Sequence, residues 1–279
     1  MSGPNLPPLN IPALLRSHGL RPSKGLGQNF LEDQEALKRI VAAADPGPAD
    51  TLLEIGPGLG SLTRYLALSS AAVTAVELDG NLFPALETVL APYPNVRLVH
   101  GDILKLSPAE LGLPDGYLVA ANIPYYITSA VLRHLLTGSP RPRRLVLTVQ
   151  REVAARICAA PGDLSLLALS VQVFGSPETV ATIPASAFHP APRVDSAVVR
   201  LEVLPEPVIP EAKLESFFRL AKAGFSQKRK TLRNALAGGL RLEPSEAQAR
   251  LEAAGLDPRR RAETLNLDEW GQLVEAFET

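Results

Sequence analysis

From Thr51 onward the sequence alternates short apolar runs with segments of helical spacing, and this alternation constrains the fold more than any other feature. The predicted strands are 51–55, 72–76, 96–99, 117–121 and 145–149, and the predicted helices are 35–44, 62–68, 81–90 and 130–136. Strands that alternate with helices in this way build a parallel sheet with helices on both faces. The predicted fold class is therefore α/β.

The remainder of the chain has a different character. Two further strand-like runs, 169–174 and 197–203, are predicted to pair as a hairpin. The segment "LPEPVIPEA" (204–212) contains three prolines and is typical of a linker, and from Lys213 onward the spacing is helical. The sequence thus predicts two domains: an α/β domain over 1–207, with an N-terminal arm at 1–31, and a small all-helical domain over 208–279.

A glycine-rich loop follows the first strand of the predicted sheet in "LLEIGPGLGSLTRYL", with glycines at 56, 58 and 60. Glycine permits a tight turn and a close approach of the backbone to a ligand at the carboxyl end of a strand. Glu77 ends the second strand, where an acid can accept hydrogen bonds from two ribose hydroxyls. Ser61 stands where a dinucleotide-binding loop has glycine or alanine, which argues against a nicotinamide dehydrogenase. The alternative is a structural turn beside a surface acid.

Several motifs resemble those of a known family. The segments "EIGPGLG", "VELD" and "GDIL" are similar to the cofactor motifs of methyltransferases that use S-adenosylmethionine. Three more segments, "KGLGQNFL" (24–31), "NIPY" (122–125) and "AFHPAPRVDSAVVRL" (187–201), resemble the ribosomal RNA adenine dimethyltransferase family. Within that family the chain most resembles the bacterial small-subunit branch linked to kasugamycin sensitivity. The resemblance implies a Rossmann-like methyltransferase domain followed by a helical domain that binds RNA or the ribosome.

The resemblance also implies an activity and a set of site residues. The activity is the dimethylation of two adjacent adenosines near the 3′ end of small-subunit (16S) rRNA, with a role in subunit biogenesis. The cofactor would be S-adenosylmethionine, and the partner would be this rRNA or an immature 30S particle. The implied cofactor contacts are Asn29, Leu31, Gly56, Gly58, Glu77, Asp102 and Asn122, and Phe188 would close one face of a flipped adenine.

The "NIPY" motif offers hydrogen-bond acceptors and an aromatic ring that could hold an adenine for methylation of its amine. Asn122 can supply an amide oxygen and Ile123 a backbone carbonyl, which together could accept both N–H groups of the amine. Pro124 fixes its own φ angle and so can hold the Ile123 carbonyl in place, while Tyr125 offers a face for stacking. The catalytic residues are therefore predicted to be Asn122, Pro124, Tyr125 and Phe188. The alternative is a turn whose tyrosines cap the core.

Charge is segregated along the chain although the net charge is only -1. The windows 1–31, 116–151 and 216–242 contain basic residues but no Asp or Glu, which is typical of a surface that binds a polyanion. If 221–236 forms one helix, its basic residues provide a stripe for RNA: Lys222, Lys228, Arg229, Lys230 and Arg233. The alternative is a solvated helix whose charges serve only solubility.

Other features narrow the protein class. Cys158 is the single cysteine, and the four histidines lack metal-ligand spacing, so we expect neither a disulfide framework nor a metal. No apolar run is long enough for a membrane span and no secretory leader is evident, so we expect a cytoplasmic protein. We also expect a monomer. Three alternative activities remain open: a large-subunit (23S) rRNA adenine methyltransferase, a DNA adenine methyltransferase, and a ribosome-assembly factor whose methylation is secondary.

Overall fold

A seven-stranded sheet forms the centre of the first part of the chain, in a computed structural model that describes residues 6–227 and 229–278. The strand order is β4-β3-β2-β5-β6-β9-β7. The bounds of these strands are β2 Thr51–Ile55, β3 Ala72–Glu77, β4 Val96–His100, β5 Leu118–Asn122, β6 Arg144–Gln150, β7 Gly175–Ile183 and β9 Ser196–Val203. A separate two-stranded ladder pairs β1 (Phe30–Leu31) with β8 (Phe188–His189).

The predicted parallel sheet is confirmed. Strands β2 to β6 pair in parallel, and each begins and ends within one residue of its prediction. Strand β9 then runs antiparallel to β6, from Gln150↔Ser196 to Arg144↔Glu202. Because β9 enters in the reverse direction, its first residues lie beside the carboxyl ends of the parallel strands. That edge carries the site described below.

The helices of the first part connect and cover these strands. Their bounds are α1 Ile11–Ser17, α2 Gln34–Ala44, α3 Ser61–Ala67, α4 Phe83–Leu90, α5 Thr128–Thr137 and α6 Arg151–Ile157. Helix α2 shows why the sequence folds locally as it does. The Asp33 side chain accepts the Ala36 N–H at 2.8 Å and so caps the helix, and Leu37 and Ile40 on its apolar face are buried.

The predicted strand at 169–174 is wrong, because most of this run lies in helix α7 (Leu166–Gln172). Ser165 caps the helix by accepting the Ala168 N–H at 3.2 Å. A short run that is apolar throughout can belong to a buried helix as well as to a buried strand, and the cap decides for the helix. The strand beside β9 is instead β7, whose largely exposed residues give it little apolar pattern.

The chain divides into two compact units, and the division differs from the predicted one. The first unit contains the residues up to Ala154 and Glu178–Val203; the second contains Ala155–Pro177 and the residues from Leu204 onward. The linker position near 207 lies close to this division, but the range 1–207 wrongly assigns 155–177 to the first unit. The physical reason is that the Phe174 ring stacks on Phe218 at 6.4 Å and the Phe174 carbonyl accepts the Leu204 N–H at 2.8 Å.

The second unit has four further helices around an aromatic core. Their bounds are α8 Leu214–Gly224, α9 Leu232–Leu240, α10 Pro244–Ala253 and α11 Leu267–Glu278. Trp270 is fully buried, with the rings of Phe217 and Phe225 about it at 6.3 and 6.1 Å. Among the described residues of the whole chain, no helix combines the length and apolar character that would let it cross a membrane.

The prediction of one continuous helix over 221–236 is also wrong. Helix α8 ends at Gly224 and α9 begins at Leu232. The backbone N–H groups of Leu232 and Arg233 donate to the carbonyls of Arg260 and Pro258, at 2.6 and 3.2 Å. These N–H groups are therefore not bonded to the preceding turn, so the helix has to start again.

Candidate functional site

The ends of three parallel strands define a cavity of about 290 Å³ in the first unit. The register places Ile55 of β2 beside Val76 of β3, and Leu53 of β2 beside Val119 of β5, so the loops that follow these strands leave the sheet together. Nine of the predicted site residues line the cavity: Asn29, Leu31, Gly56, Gly58, Glu77, Asp102, Asn122, Pro124 and Tyr125. This is the position at which open α/β sheets bind ligands.

The glycine loop follows β2 with positive φ angles of 67° at Gly56, 59° at Gly58 and 85° at Gly60. Residues that have a side chain rarely adopt positive φ angles, so the backbone conformation of this loop favours glycine at these positions. Gly58 is also required by space, because a Cβ there would lie 2.9 Å from the Phe30 ring. The loop thus turns tightly between β2 and α3 and keeps its backbone open to the cavity.

Glu77 ends β3 as predicted and is almost fully buried. Its Oε2 accepts the Gly58 N–H at 3.0 Å, and its Oε1 accepts the Asp79 N–H at 2.9 Å. Burial raises the pKa of the Glu77 carboxyl, and these two backbone hydrogen bonds oppose the rise. Each carboxylate oxygen has a second lone pair, so both can also accept a hydrogen bond from a ligand hydroxyl.

Glu54 is a cavity residue that the sequence analysis did not assign. It is buried in β2, two residues before Gly56, and its Oε2 has no hydrogen-bond partner within 6–227 and 229–278. Burial raises the pKa of Glu54 to about 8; the nearby Thr63 hydroxyl lowers it, and the Glu77 carboxylate adds to the rise. Glu54 is therefore mostly protonated at neutral pH. An acid inside an apolar strand was the signal in the sequence that could have revealed it.

The N-terminal arm fixes the Asn122 amide at the end of β5. Asn122 Nδ2 donates to the Asn29 carbonyl at 3.1 Å, and Asn29 Nδ2 donates to the Gly27 carbonyl at the same distance. Gln28 connects the arm to the loop that follows β3, since its Nε2 donates to Asp79 Oδ2 at 2.8 Å. The amide nitrogen of Asn122 is thus held by the arm, which leaves its oxygen as the end that can accept a hydrogen bond from a ligand.

The residues after Asn122 form one rim of the cavity. Tyr125 lies in a short 3₁₀ turn (Tyr125–Ile127), and its hydroxyl is 2.7 Å from the Ser196 hydroxyl. Tyr126, which also lines the cavity, is 64% exposed. A Cβ at Gly27 would lie 3.3 Å from Pro124 and 3.4 Å from the Tyr126 ring, so the arm packs directly against this turn.

Phe188 is the predicted catalytic residue that does not line the cavity. It is 3% exposed and lies in the core cluster of the first unit. It reaches the site indirectly, because β8 pairs Phe188 with Leu31 of β1, and Leu31 is a cavity residue. This pairing joins residues far apart in the sequence through strands only two residues long, so no local pattern predicts it.

The basic window at 116–151 is partly neutralised by acids from elsewhere in the first unit. Arg143 makes two hydrogen bonds of 2.9 Å to Asp50, and Arg144 Nε donates to Glu202 at 2.6 Å. The strong hydrogen bond from Arg143 lowers the pKa of Asp50 despite the carboxyl's partial burial. The linear segregation of charge therefore overstated the positive charge that this window offers to a partner.

The predicted RNA contacts in the second unit fall into two groups. Lys222 on α8 and both Arg229 and Lys230 in the connection to α9 are exposed. Arg233 is half-buried and donates to Asn234 and to Gln248, at 3.2 and 3.1 Å. Lys228 lies outside the described residues. Among the residues that the structure describes, no cluster of three His, Cys, Asp or Glu side chains is arranged to hold a metal ion.

Comparison with known proteins identifies the family. The model of the family described as "Ribosomal RNA adenine dimethylase" matches residues 20–279. The chain belongs to this family. It is 50% identical over 262 residues to a ribosomal RNA small subunit methyltransferase A from Dehalococcoides mccartyi (strain CBDB1), covering 93% of this chain and 90% of the relative. It is 46% identical to the protein of the same name from Moorella thermoacetica, covering 94% of each.

Solved structures support the same fold. The 23S rRNA methyltransferase ErmE is 30% identical with a TM-score of 0.71, covering 90% of this chain and all of that one. A dimethyladenosine transferase from Plasmodium falciparum is 25% identical with a TM-score of 0.75, covering 89% of this chain and 97% of that one. The Rossmann-like methyltransferase fold with a C-terminal helical region is thereby confirmed.

The cavity fits S-adenosylmethionine, the cofactor of this adenine dimethylase family. Glu77 presents a buried carboxylate suited to a ribose, while Gly56 has open space beside its backbone that would let the methionine part approach. Asp102 lines the cavity, and its Oδ1 accepts the Leu104 N–H at 3.1 Å. Its Oδ2 could then accept a hydrogen bond from the adenine amine of the cofactor. The assignment of each contact remains a prediction for Asn29, Leu31, Gly56, Gly58, Glu77, Asp102 and Asn122.

The buried Glu54 carboxyl predicts a pH dependence of stability. The unfolded chain ionises Glu54 near its ordinary pKa of 4.5, while the folded protein keeps the proton up to about pH 8. Between these values the folded state binds more protons, so the free energy of unfolding should fall as pH rises, by on the order of 4 kcal/mol from this group. Glu54→Gln should lack this decrease and should gain stability relative to the parent as pH approaches 8.

Thermal denaturation of the parent and Glu54→Gln at several pH values from 5 to 8 measures this effect. Glu87→Gln, which changes an exposed acid on α4, is the matched control for loss of one carboxyl. The Tm of the Glu54→Gln variant should converge on, then exceed, that of the parent as pH rises. Parallel Tm curves for these two proteins would contradict a proton held on Glu54.

Proposed function

We propose that this protein transfers methyl groups from S-adenosylmethionine to the exocyclic amines of two adjacent adenosines near the 3′ end of small-subunit rRNA. The observation that carries the proposal is the Asn122 amide, held by Asn29 at the edge of the same cavity that contains Glu77. The names of relatives at 46–50% identity support the small subunit as the substrate. The product would be dimethyladenosine in each position.

The reaction requires an amine to be aligned and its weak nucleophilicity improved. An adenine amine is a poor nucleophile because its lone pair is delocalised into the ring. The Asn122 oxygen and the Ile123 carbonyl would accept its two N–H groups and favour a more pyramidal nitrogen. The cofactor would supply a methyl group bonded to a sulfonium sulfur, and that sulfur is the leaving group when the methyl group is transferred. Catalysis then depends on positioning, with reacting atoms roughly 3–3.5 Å apart, and needs no metal.

Tyr125 would hold the adenine by stacking on its ring, which adds roughly 1–3 kcal/mol for a base on an aromatic side chain. Pro124 would keep the preceding carbonyl turned to the amine, since proline fixes φ and donates no hydrogen bond. Phe188 would form the second face of the adenine site only if β8 or its neighbours moved, because its ring is 3% exposed. We therefore assign Phe188 a weaker role than the "NIPY" residues.

A second candidate substrate is large-subunit rRNA. The similarity to the 23S rRNA methyltransferase ErmE favours it, but at 30% identity against 50% for the small-subunit relative. A third possibility is that the protein acts mainly as an assembly factor on the immature 30S particle. We propose that the protein binds small-subunit rRNA or an immature 30S particle, and that it does so as a monomer in the cytoplasm.

Mapping of the methylated positions tests the proposal. Small and large subunits from cells that lack the modification would be incubated with the protein and labelled S-adenosylmethionine. Label should appear in two adjacent adenosines of the small-subunit RNA, each reaching two methyl groups. Label confined to large-subunit RNA would overturn the proposed substrate. An Asn122→Ala variant that supports subunit maturation without labelling would favour the assembly-factor alternative.

Glu77 and Asn122 should have separable effects on cofactor affinity and rate. Glu77→Ala should weaken S-adenosylmethionine binding by roughly 1.5–3 kcal/mol, the cost of losing hydrogen bonds to a charged group. Asn122→Ala should bind the cofactor more nearly as the parent does but transfer methyl groups far more slowly, because its bond to the amine strengthens as the amine attacks. Calorimetry measures the first effect and single-turnover transfer the second. Equal loss of affinity in the two variants would contradict this division of roles.

We further propose that the exposed cations of the second unit contact the RNA backbone. Lys222, Arg229 and Lys230 project from the end of α8 and the loop after it, in a segment that contains no acid from 216 to 242. Lys228 belongs to the same proposed set by sequence. Arg233 is the weakest member, because its guanidinium is already bonded to neighbouring side chains.

The salt dependence of binding distinguishes contact from mere solubility. Each lost phosphate contact should lower the slope of log affinity against log salt by roughly 0.7–0.9. The combined change Lys222→Ala, Arg229→Ala and Lys230→Ala should therefore weaken binding to small subunits and reduce the slope by about two. Arg259→Ala removes an exposed cation that is paired with Asp257, so it should leave the slope nearly unchanged. A triple variant with the parent's affinity and slope would place the RNA contacts elsewhere.

A further inference from the structure

The hydroxyl of Tyr125 has a partner whose role the proposed adenine site does not yet include. It lies 2.7 Å from the hydroxyl of Ser196, which is fully buried at the first position of β9. Ser196 pairs with Gln150, the last residue of β6, so it belongs to the rigid sheet. The short turn that carries Tyr125 follows β5 in the chain and is also attached to β9 by the bond between the Tyr125 and Ser196 hydroxyls.

The geometry separates the two parts of the tyrosine. Tyr125 lines the cavity, whereas Ser196 is not among the residues around it. Tyr125 therefore contributes to the cavity wall, while its hydroxyl contacts β9. Burial raises the pKa of the Tyr125 phenol, and the bond to Ser196 only partly offsets this, so the phenol stays protonated. Its hydroxyl has the chemistry of an anchor and not of a base at the reacting amine.

The residue before Ser196 makes a similar connection. Asp195 Oδ1 accepts the N–H of Ala185 at 3.0 Å, at the start of the turn that leads to Phe188. Ser196 and the residue before it thus hold the Tyr125 hydroxyl and the segment that leads to Phe188. We propose that Ser196 is a positioning residue: its hydroxyl holds the Oη end of the Tyr125 side chain and thereby the position of the ring on which the adenine stacks. This inference rests on the proposed stacking role of Tyr125.

Ser196→Ala and Tyr125→Phe remove the same hydrogen bond from opposite ends, so a double-mutant cycle tests the inference. Either change should lower kcat for transfer to unmethylated small subunits about 5- to 10-fold, the factor that corresponds to one hydrogen bond. The double variant should be no slower than either single variant. The subunit KM and the cofactor Kd should stay within about twofold, since misalignment of the ring affects the attack more than docking.

Thr148→Val is the matched control. Thr148 is fully buried on β6 beside Asn122, and its hydroxyl has no hydrogen-bond partner among the described residues. Its removal deletes a buried hydroxyl of the same sheet without touching Tyr125, so kcat should remain that of the parent. A decrease equal to that of Ser196→Ala would mean that any buried change at this edge slows the reaction, and would overturn the specific role of Ser196.

The same cycle measured by Tm needs no activity and separates this inference from the proposed function. Coupled losses of Tm in the two single variants, with no further loss in the double variant, would establish the bond. Additive losses of Tm, or losses of kcat that multiply in the double variant, would overturn the inference. If the parent failed to methylate small subunits while the Tm losses were coupled, the proposed function would fail and the anchor would stand without its positioning role.

Discussion

The parallel register of β2, β3 and β5 is the constraint on which the rest of the site depends. Because these three strands start and end level with one another, Gly56, Glu77 and Asn122 reach the same edge of the sheet from positions that are 66 residues apart at most. The antiparallel strand β9 begins at that same edge, where Ser196 pairs with Gln150. The side chains of Glu77, Asn122 and Ser196 therefore reach the site without being long, and each is held by one or two hydrogen bonds.

This constraint also explains which parts of the site could be predicted from the sequence. Residues at strand ends, such as Glu77 and Asn122, are marked by a change from apolar to polar within one local pattern, and the α/β alternation fixes which edge they share. Local patterns carry no information on pairs such as Phe30↔His189 or Leu31↔Phe188, which join the arm to a distant strand. Tyr125 could be predicted as an aromatic of the cavity, but its partner Ser196 could not.

The second unit shows the limit of linear reasoning about charge and helices. Helical spacing alone predicts one cationic helix, yet the carbonyls of Pro258 and Arg260 take the amides that would continue it. The exposed cations therefore lie at a helix end and in a loop, where they can follow a curved backbone and need not form a straight stripe. In the first unit Arg143 and Arg144 are neutralised by Asp50 and Glu202, which both lie outside the acid-free window 116–151. Contacts between distant segments decided both cases.

The two acids of the cavity, Glu54 and Glu77, are both buried but differ in their hydrogen bonds. Both are buried, which favours the protonated form of each. Glu77 receives backbone N–H bonds on both oxygens, which stabilise its charged form, whereas Oε2 of Glu54 has no partner among the residues that the structure describes. The charge on Glu77 then raises the pKa of Glu54 further. The glycine loop therefore does more than make space: by directing the Gly58 N–H to Glu77, it opposes the rise that burial causes in the pKa of this carboxyl.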